Sequence, residues 1–412
     1  MKKTRRAAAT AITIMMMTAL IGGCTGTGNS ASSAASNSSQ TKAETASYSG
    51  STASVATVTS AESDLFTSRD LEQAADLSQA KEITVSSGGS VSITEAGTYV
   101  LSGNAENASV VVEAGDDDKV QLVLKDLKIT NTHQACILVE NADKVFITSA
   151  EGSDNSLTVS GKFTDDNDAV IFSKDDLVLN GLGKVTVSST KDGIRSNDDL
   201  KATGGTWIIT AEDTAIKAHE GIYACSGVYE LTAGSDGLHA ENNDDDTKGD
   251  IIIKGGNYSI KAGDDGIHGT TGVTVDGGCL TITAGEGIEA TQVLINDGVL
   301  DITASDDGIN AGQKSKSMDV KIEIGGGDIT VVMGSGDTDG IDSNGDLIIT
   351  GGTINVTAQS PFDYDGNCTH TGGKIIVNGT ETDTITNQMM GGHGGRGGQM
   401  GEQTGNFGGK QR

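Results

Sequence analysis

From residue 204 to residue 377 the chain alternates apolar and polar positions with a period of two, the signature of strands. One face reads Trp207, Ile209, Ala211, then Tyr229, Leu231, Ala233, then Tyr258, Ile260, Ala262. It continues as Leu280, Ile282, Ala284, as Leu300, Ile302, Ala304, and as Ile354, Val356, Ala358. The opposite face is mostly polar, with Thr210, Thr232, Thr283, Thr303 and Thr357. Each unit carries a second short apolar run, such as Ile251–Ile253, Val293–Ile295 or Leu347–Ile349, and glycine-rich turns separate the runs. No stretch of helical periodicity falls between them.

A short phrase marks each unit: Asp192-Gly193-Ile194, Asp236-Gly237-Leu238, Asp265-Gly266-Ile267, Glu286-Gly287-Ile288, Asp307-Gly308-Ile309 and Asp339-Gly340-Ile341. Thr214-Ala215-Ile216 and Ser360-Pro361-Phe362 are worn copies. The steps between copies are 22, 22, 29, 21, 21, 32 and 21 residues, so two units carry insertions. A fixed period of this size marks a solenoid. Short strands without helices predict an all-β parallel β-helix whose coils stack at about 4.8 Å, with Trp207, Tyr229 and Tyr258 in one internal ladder.

Flanking segments complete the domain plan. Residues 62–385 form the predicted solenoid domain. Less regular coils fill 82–190, with strands around Val91–Ile93, Tyr99–Leu101, Val110–Val112, Val120–Leu124, Cys136–Val139 and Val145–Ile147. Ser63 to Ala80 places Phe66, Leu71, Ala74, Ala75 and Leu77 at helical spacing, which predicts an N-terminal capping helix over the open end. Residues 1–24 read as a targeting segment, with Lys2, Lys3, Arg5 and Arg6 before an apolar stretch too short to span a bilayer comfortably. It ends at Cys24 in a sequence that resembles a bacterial lipobox, so Cys24 is the expected lipidation site and the protein is expected outside the cytoplasm on a membrane anchor. Residues 25–61 are a Ser/Thr/Ala/Gly tether, and 386–412 a glycine-rich tail, both too poor in apolar side chains to bury a core. The remaining cysteines form no C-x-x-C, which argues against zinc.

Charge narrows the chemistry. The net charge is -29, which excludes nucleic acid as a natural partner and favours cations or cation-bridged anions. If the apolar residue of each phrase points inward, the next points outward. That outward ladder reads Arg195, Lys217, His239, His268, Glu289, Asn310, Asp342, Asp363. A second, two residues on, reads Asn197, His219, Glu241, Thr270, Thr291, Gly312, Asn344, Asp365. Arg195, Lys217, His239 and His268 are the candidate carbohydrate-binding residues, on a stripe that suits a long anionic polymer. A solvated face of accidental composition is the competing reading.

The acids of the phrase make a further ladder. Carboxylates about 5 Å apart repel by roughly 1 kcal/mol in water and more in a protein, a cost that bridging cations remove. Calcium takes six to eight oxygens. Asp192, Asp236, Asp264, Asp265, Asp307 and Asp339 are the expected ligands, with Glu241 beside the acidic insertion Asn242 to Asp246. The alternative is that Asp-Gly simply makes a turn.

Gly97-Thr98-Tyr99-Val100-Leu101-Ser102-Gly103, the Val120 to Ile129 strand and the Asp-Gly-Ile phrases followed by Gly-Gly turns resemble the bacterial carbohydrate-binding β-helix family related to pectate lyases. The resemblance covers roughly 82–385. It implies a right-handed parallel β-helix, bound calcium, and attachment to plant polysaccharides such as polygalacturonate and cellulose without evident catalysis. The missing acids at Thr214 and Ser360 interrupt a continuous metal ladder. Three functions therefore stand: a surface lipoprotein that binds acidic polysaccharide, a calcium-dependent lyase, and a structural adhesin. A lyase needs a base for the C5 proton and a cation for the enediolate, and Lys217 is the candidate base.

Overall fold

A computed structural model describes residues 65–387 apart from 165, 336 and 337. These lie in the second of two compact units of the chain, Gly50–Arg412. Cys24, the tether and the tail beyond 387 lie outside the described residues.

The described residues hold 34 strands in one long sheet and no helix. Every pairing is parallel except the last. Apart from that last pair, successive strands do not pair with each other but with their equivalents one coil on, which is the connectivity of a β-helix-like solenoid. Three rows result. The phrase row runs through Asp192–Ser196, Ile216–Ala218, Leu238–Ala240, Asp265–Val275, Glu286–Ile295, Ile309–Ala311, Asp339–Ser343 and Ser360–Tyr364. The second row includes Lys144–Ser149, Asp176–Gly181, Asp199–Ala202 and Gly221–Ala224. The third includes Thr206–Ala211, Val228–Ala233 and Asn257–Lys261.

Register follows the period of the sequence. Trp207, Tyr229, Tyr258, Leu280, Leu300, Ile329 and Ile354 stack in one internal column, and all are buried. Tyr229 and Tyr258 stack with ring centroids 4.9 Å apart and 9° between planes, the offset aromatic contact that adds stability beyond buried area.

The capping helix is not formed. Residues 65–80 make turns instead. The Thr67 backbone N–H donates to Asp70 Oδ2, and the Asp70 N–H to Thr67 Oγ1. Short polar side chains that bond nearby backbone in this way compete with helix formation. The segment also lies against the outer side of the second row rather than over an end. Asp70 is fully buried, 3.6 Å from both Lys144 and Lys201. Gln73 bonds Thr203 and Gly181, and Arg69 sits over the Phe146 ring.

The opposite end closes differently. Lys374–Val377 turns back through Asn378 and Gly379, both with positive φ, into the antiparallel strand Thr380–Thr382. Asn-Gly in that conformation is the preferred two-residue hairpin.

Candidate functional site: a loop-walled face over the phrase row

Stacking brings the first outward ladder into register as Arg195, Lys217, His239, His268, Glu289, Asn310, Asp342 and Asp363. At one coil per about 4.8 Å, Arg195 and His268 stand some 14 Å apart, so these residues form a line and not one pocket.

Beneath the line, the phrase acids have structural partners. Asp192 Oδ1 accepts the Thr214 N–H, Asp236 Oδ1 the Asp265 N–H, and Asp307 Oδ1 the Asp339 N–H. Each carboxylate thus ties its coil to the next. Asp192, Asp236 and Asp265 are buried. Burial pushes Asp192 up to about 6, although Lys217 opposes it. Asp264 is exposed, and its carbonyl accepts the N–H groups of Gly285 and Glu286.

The histidines sit directly on these acids. His239 Nδ1 donates to Asp236 Oδ2 at 2.8 Å, and His268 Nδ1 to Asp265 Oδ2 at 2.7 Å. The two imidazoles stack 4.7 Å apart. Both Asp236 oxygens are therefore used, and little of that carboxylate is left for a metal. His268 Nδ1 also lies 2.9 Å from Glu289 Oε2, and Lys314 Nζ 2.5 Å from Glu289 Oε1. Burial opposes the charge on His268, but bonds to Asp265 and Glu289 outweigh it and raise the imidazole to about 10. Burial likewise pushes Glu289 up, and His268 with Lys314 carries it down to about 2. Asp265, His268 and Glu289 converge within 4.8 Å, as do Asp198, Asp199 and Glu220 near the second row.

The cationic stripe is consequently less bare than its sequence. Arg195 is paired with Asp168 at 3.0 Å. Lys217 makes no ion pair among the described residues, and Asp192 is its charged neighbour.

Further along, the ladder turns acidic through Asp342 and Asp363. Burial raises Glu286 to about 7 and Asp307 to about 6. Asp342 is pushed to about 7 by burial and then by Asp307, Asp339, Asp363 and Asp365. Two buried oxygens here, Asn310 Oδ1 and Asp363 Oδ1, have no hydrogen-bond partner among the described residues.

The two insertions meet over this face. Asn242 Oδ1 accepts the N–H groups of Asp244 and Asp245 and turns the first loop. Thr291 Oγ1 accepts those of Lys314 and Ser315 and seats the second on the ladder. Ser315 and Ser317 hydroxyls both donate to the Asp246 carbonyl, at 2.5 and 2.7 Å, and latch loop to loop. Between them lies a cleft of about 580 Å³. Glu241, Asn243, Asp244 and Asp246 line one wall, Gln313, Lys314 and Lys316 the other, with His268 and Thr270 between. Glu241 and His268 were expected at a site from sequence. Lys314, Lys316 and the latch were not, and the signal for them was the step of 32 residues.

A protein from Acetivibrio thermocellus described as a carbohydrate-binding domain-containing protein is 38% identical over 128 residues, 29% of this chain and 45% of that one. The match thus spans less than half the length of that relative. A solved structure described as the polysaccharide lyase-like protein from C. thermocellum, a gadolinium derivative, is 31% identical, with a TM-score of 0.49 over 54% of this chain and 96% of the other. Residues 87–338, more than half of the chain and the whole of the loop-walled cleft, match the family described as carbohydrate-binding domain-containing protein; this chain belongs to that family.

Proposed function

We propose that the protein is a lipid-anchored surface protein that binds an acidic polysaccharide, of the polygalacturonate kind, along the outward face of the phrase row with calcium at its acidic end. The observation that carries this reading is the register of the ladder, in which Arg195, Lys217, His239 and His268 lead directly into Glu289, Asn310, Asp342 and Asp363 on one face. A flat line of polar groups repeating at the coil spacing suits a polymer better than a small molecule.

Calcium fits one half of this face better than the other. At Asp236 and Asp265 the histidines and backbone N–H groups occupy the carboxylates. At Asp307, Asp339, Asp342 and Asp363 acids crowd one another, and the unpartnered oxygens of Asn310 and Asp363 supply hard donors of the kind calcium takes. There the ion would neutralise the acids and let a uronate polymer approach a chain of net charge -29. The N-terminal segment ending at Cys24 supports the anchor and a location outside the cytoplasm.

The test is co-sedimentation of the full chain with polygalacturonate, with calcium and with chelator, while ultraviolet absorbance is followed for unsaturated product. Calcium-dependent sedimentation, weakened in Lys217→Ala, with flat absorbance is the expected result. Sedimentation indifferent to both chelator and Lys217→Ala would remove this reading, and a rising absorbance abolished in Lys217→Ala would make the protein a lyase.

A further inference from the structure

The two insertions build something that the repeat alone does not. They lend the cleft opposite charges: Glu241, Asp244 and Asp246 come from the first loop and its base, Lys314 and Lys316 from the second. The Ser315 and Ser317 hydroxyls fix the second loop to the Asp246 carbonyl of the first and so hold the cleft in shape. Lys314 uses its ammonium on Glu289, but an ammonium has three donors. Lys316 is exposed and makes no ion pair among the described residues.

A carboxylate only accepts hydrogen bonds, and hydroxyls donate readily to carboxylates. In a pyranose acid the carboxylate on C5 and the hydroxyls on C2 and C3 leave opposite edges of the ring. One such residue therefore serves both walls at once. A neutral sugar would leave Lys316 without a counter-charge, and a compact anion would leave the acids of the first loop without a hydroxyl donor.

We propose that this cleft is a subsite for a single carboxylate-bearing sugar residue, its carboxylate on Lys314 and Lys316 and its hydroxyls on Glu241, Asp244 and Asp246. The inference rests on the polysaccharide reading above and gives that face a point at which acidic and neutral residues of a chain are told apart. The volume of about 580 Å³ lies within the range of small-ligand clefts.

Calorimetry of the full chain with trigalacturonate and with its fully methyl-esterified form tests this, since esterification replaces each carboxylate by an uncharged methyl ester and leaves the hydroxyls in place. Wild type should prefer the acid by about tenfold or more, the size expected for a charge-assisted pair. The double variant Lys314→Gln, Lys316→Gln should lose that preference while its affinity for the ester stays the same. Ser315→Ala, which removes part of the latch, should weaken both probes. Thermal melts of the variants show that each still folds. Equal binding of acid and ester by wild type, no binding of either, a preference retained in the lysine variant, or unchanged affinities in Ser315→Ala would each overturn the subsite. Sedimentation with long polygalacturonate separates the two readings. Polymer that still sediments when the trimer shows no preference leaves the ladder standing and removes the cleft. Trimer preference without polymer sedimentation does the reverse.

Discussion

His268 holds two carboxylates with one N–H, since its Nδ1 reaches both Asp265 and Glu289. Removing the imidazole leaves the buried Asp265 carboxylate without its cation, while Glu289 keeps only Lys314, and an uncompensated buried charge costs far more than the intact pair contributes. Its charge also sets a pH window. The imidazole is raised from 6.5 to about 10 in the fold, so its contribution is complete below about 6.5 and fades as pH rises toward 10. Glu289 is lowered from 4.5 to about 2, so its contribution is complete above about 4.5 and fades toward pH 2. The pair is strongest between those limits. His268→Gln should therefore cost about 3 kcal/mol near pH 5.5, and the gap from wild type should narrow steadily toward pH 10. Urea melts across that range check it, and a gap independent of pH would show that the imidazole acts only by packing.

At the level of the element, the repeated glycine follows a different rule from the one its partner suggests. Asp-Gly reads as a turn signal, but in the fold these glycines lie in or beside strands. A Cβ on Gly266 would stand 2.3 Å from Ile282 Cγ2 and 2.6 Å from the Gly287 carbonyl oxygen of the next coil. Glycine is there because adjacent coils approach too closely for a side chain. By contrast Gly256, in a Gly-Gly turn, has a φ of 108° and meets the backbone requirement proper to glycine. Gly266→Ala should accordingly behave as overpacking and cost about 1–3 kcal/mol, read as a lower urea midpoint with an unchanged slope. The acid before the glycine is likewise a coil-to-coil tie, as the Asp236 bond to the Asp265 N–H shows. That role explains why Asp recurs even where no ion is needed.

Across the whole molecule, charge is distributed unevenly along the solenoid. Over the coils from Arg195 to Lys314, Arg195, His268 and Lys314 are each paired with an acid. Toward the C-terminal end Glu286, Asp307 and Asp342 sit at about 6 to 7. Because these values lie above the ordinary carboxylate range, stability is complete at low pH and is lost as pH rises through 6 to 7. Without calcium, Asp342→Asn should raise the melting temperature at pH 7.5 by about 2 °C. With calcium the order should reverse, because wild type gains an ion that the variant holds poorly. A variant that melts above wild type in both conditions would place calcium elsewhere or nowhere on this face. The repulsion is partly screened by salt, so the comparison belongs at low ionic strength.

Period, strand alternation and the outward ladder were all legible in the amino-acid order, because stacking equivalent residues of a solenoid turns a sequence interval into a spatial neighbour. Thus Lys217 could be placed beside His239, and Trp207 beside Tyr229, by counting alone. The order of residues also marked 29- and 32-residue steps as insertions. What it did not carry was contact between segments that share no period. The 63–80 stretch has helical spacing, yet Thr67 and Asp70 bond each other and Asp70 finds two lysines on the second row. Asp168 neutralises Arg195, and Asp236 with Asp265 claims the histidines. Ser315 meets Asp246 across 69 residues. Each is a choice among possible partners made by distance in the folded chain, and only the tertiary structure sets those distances.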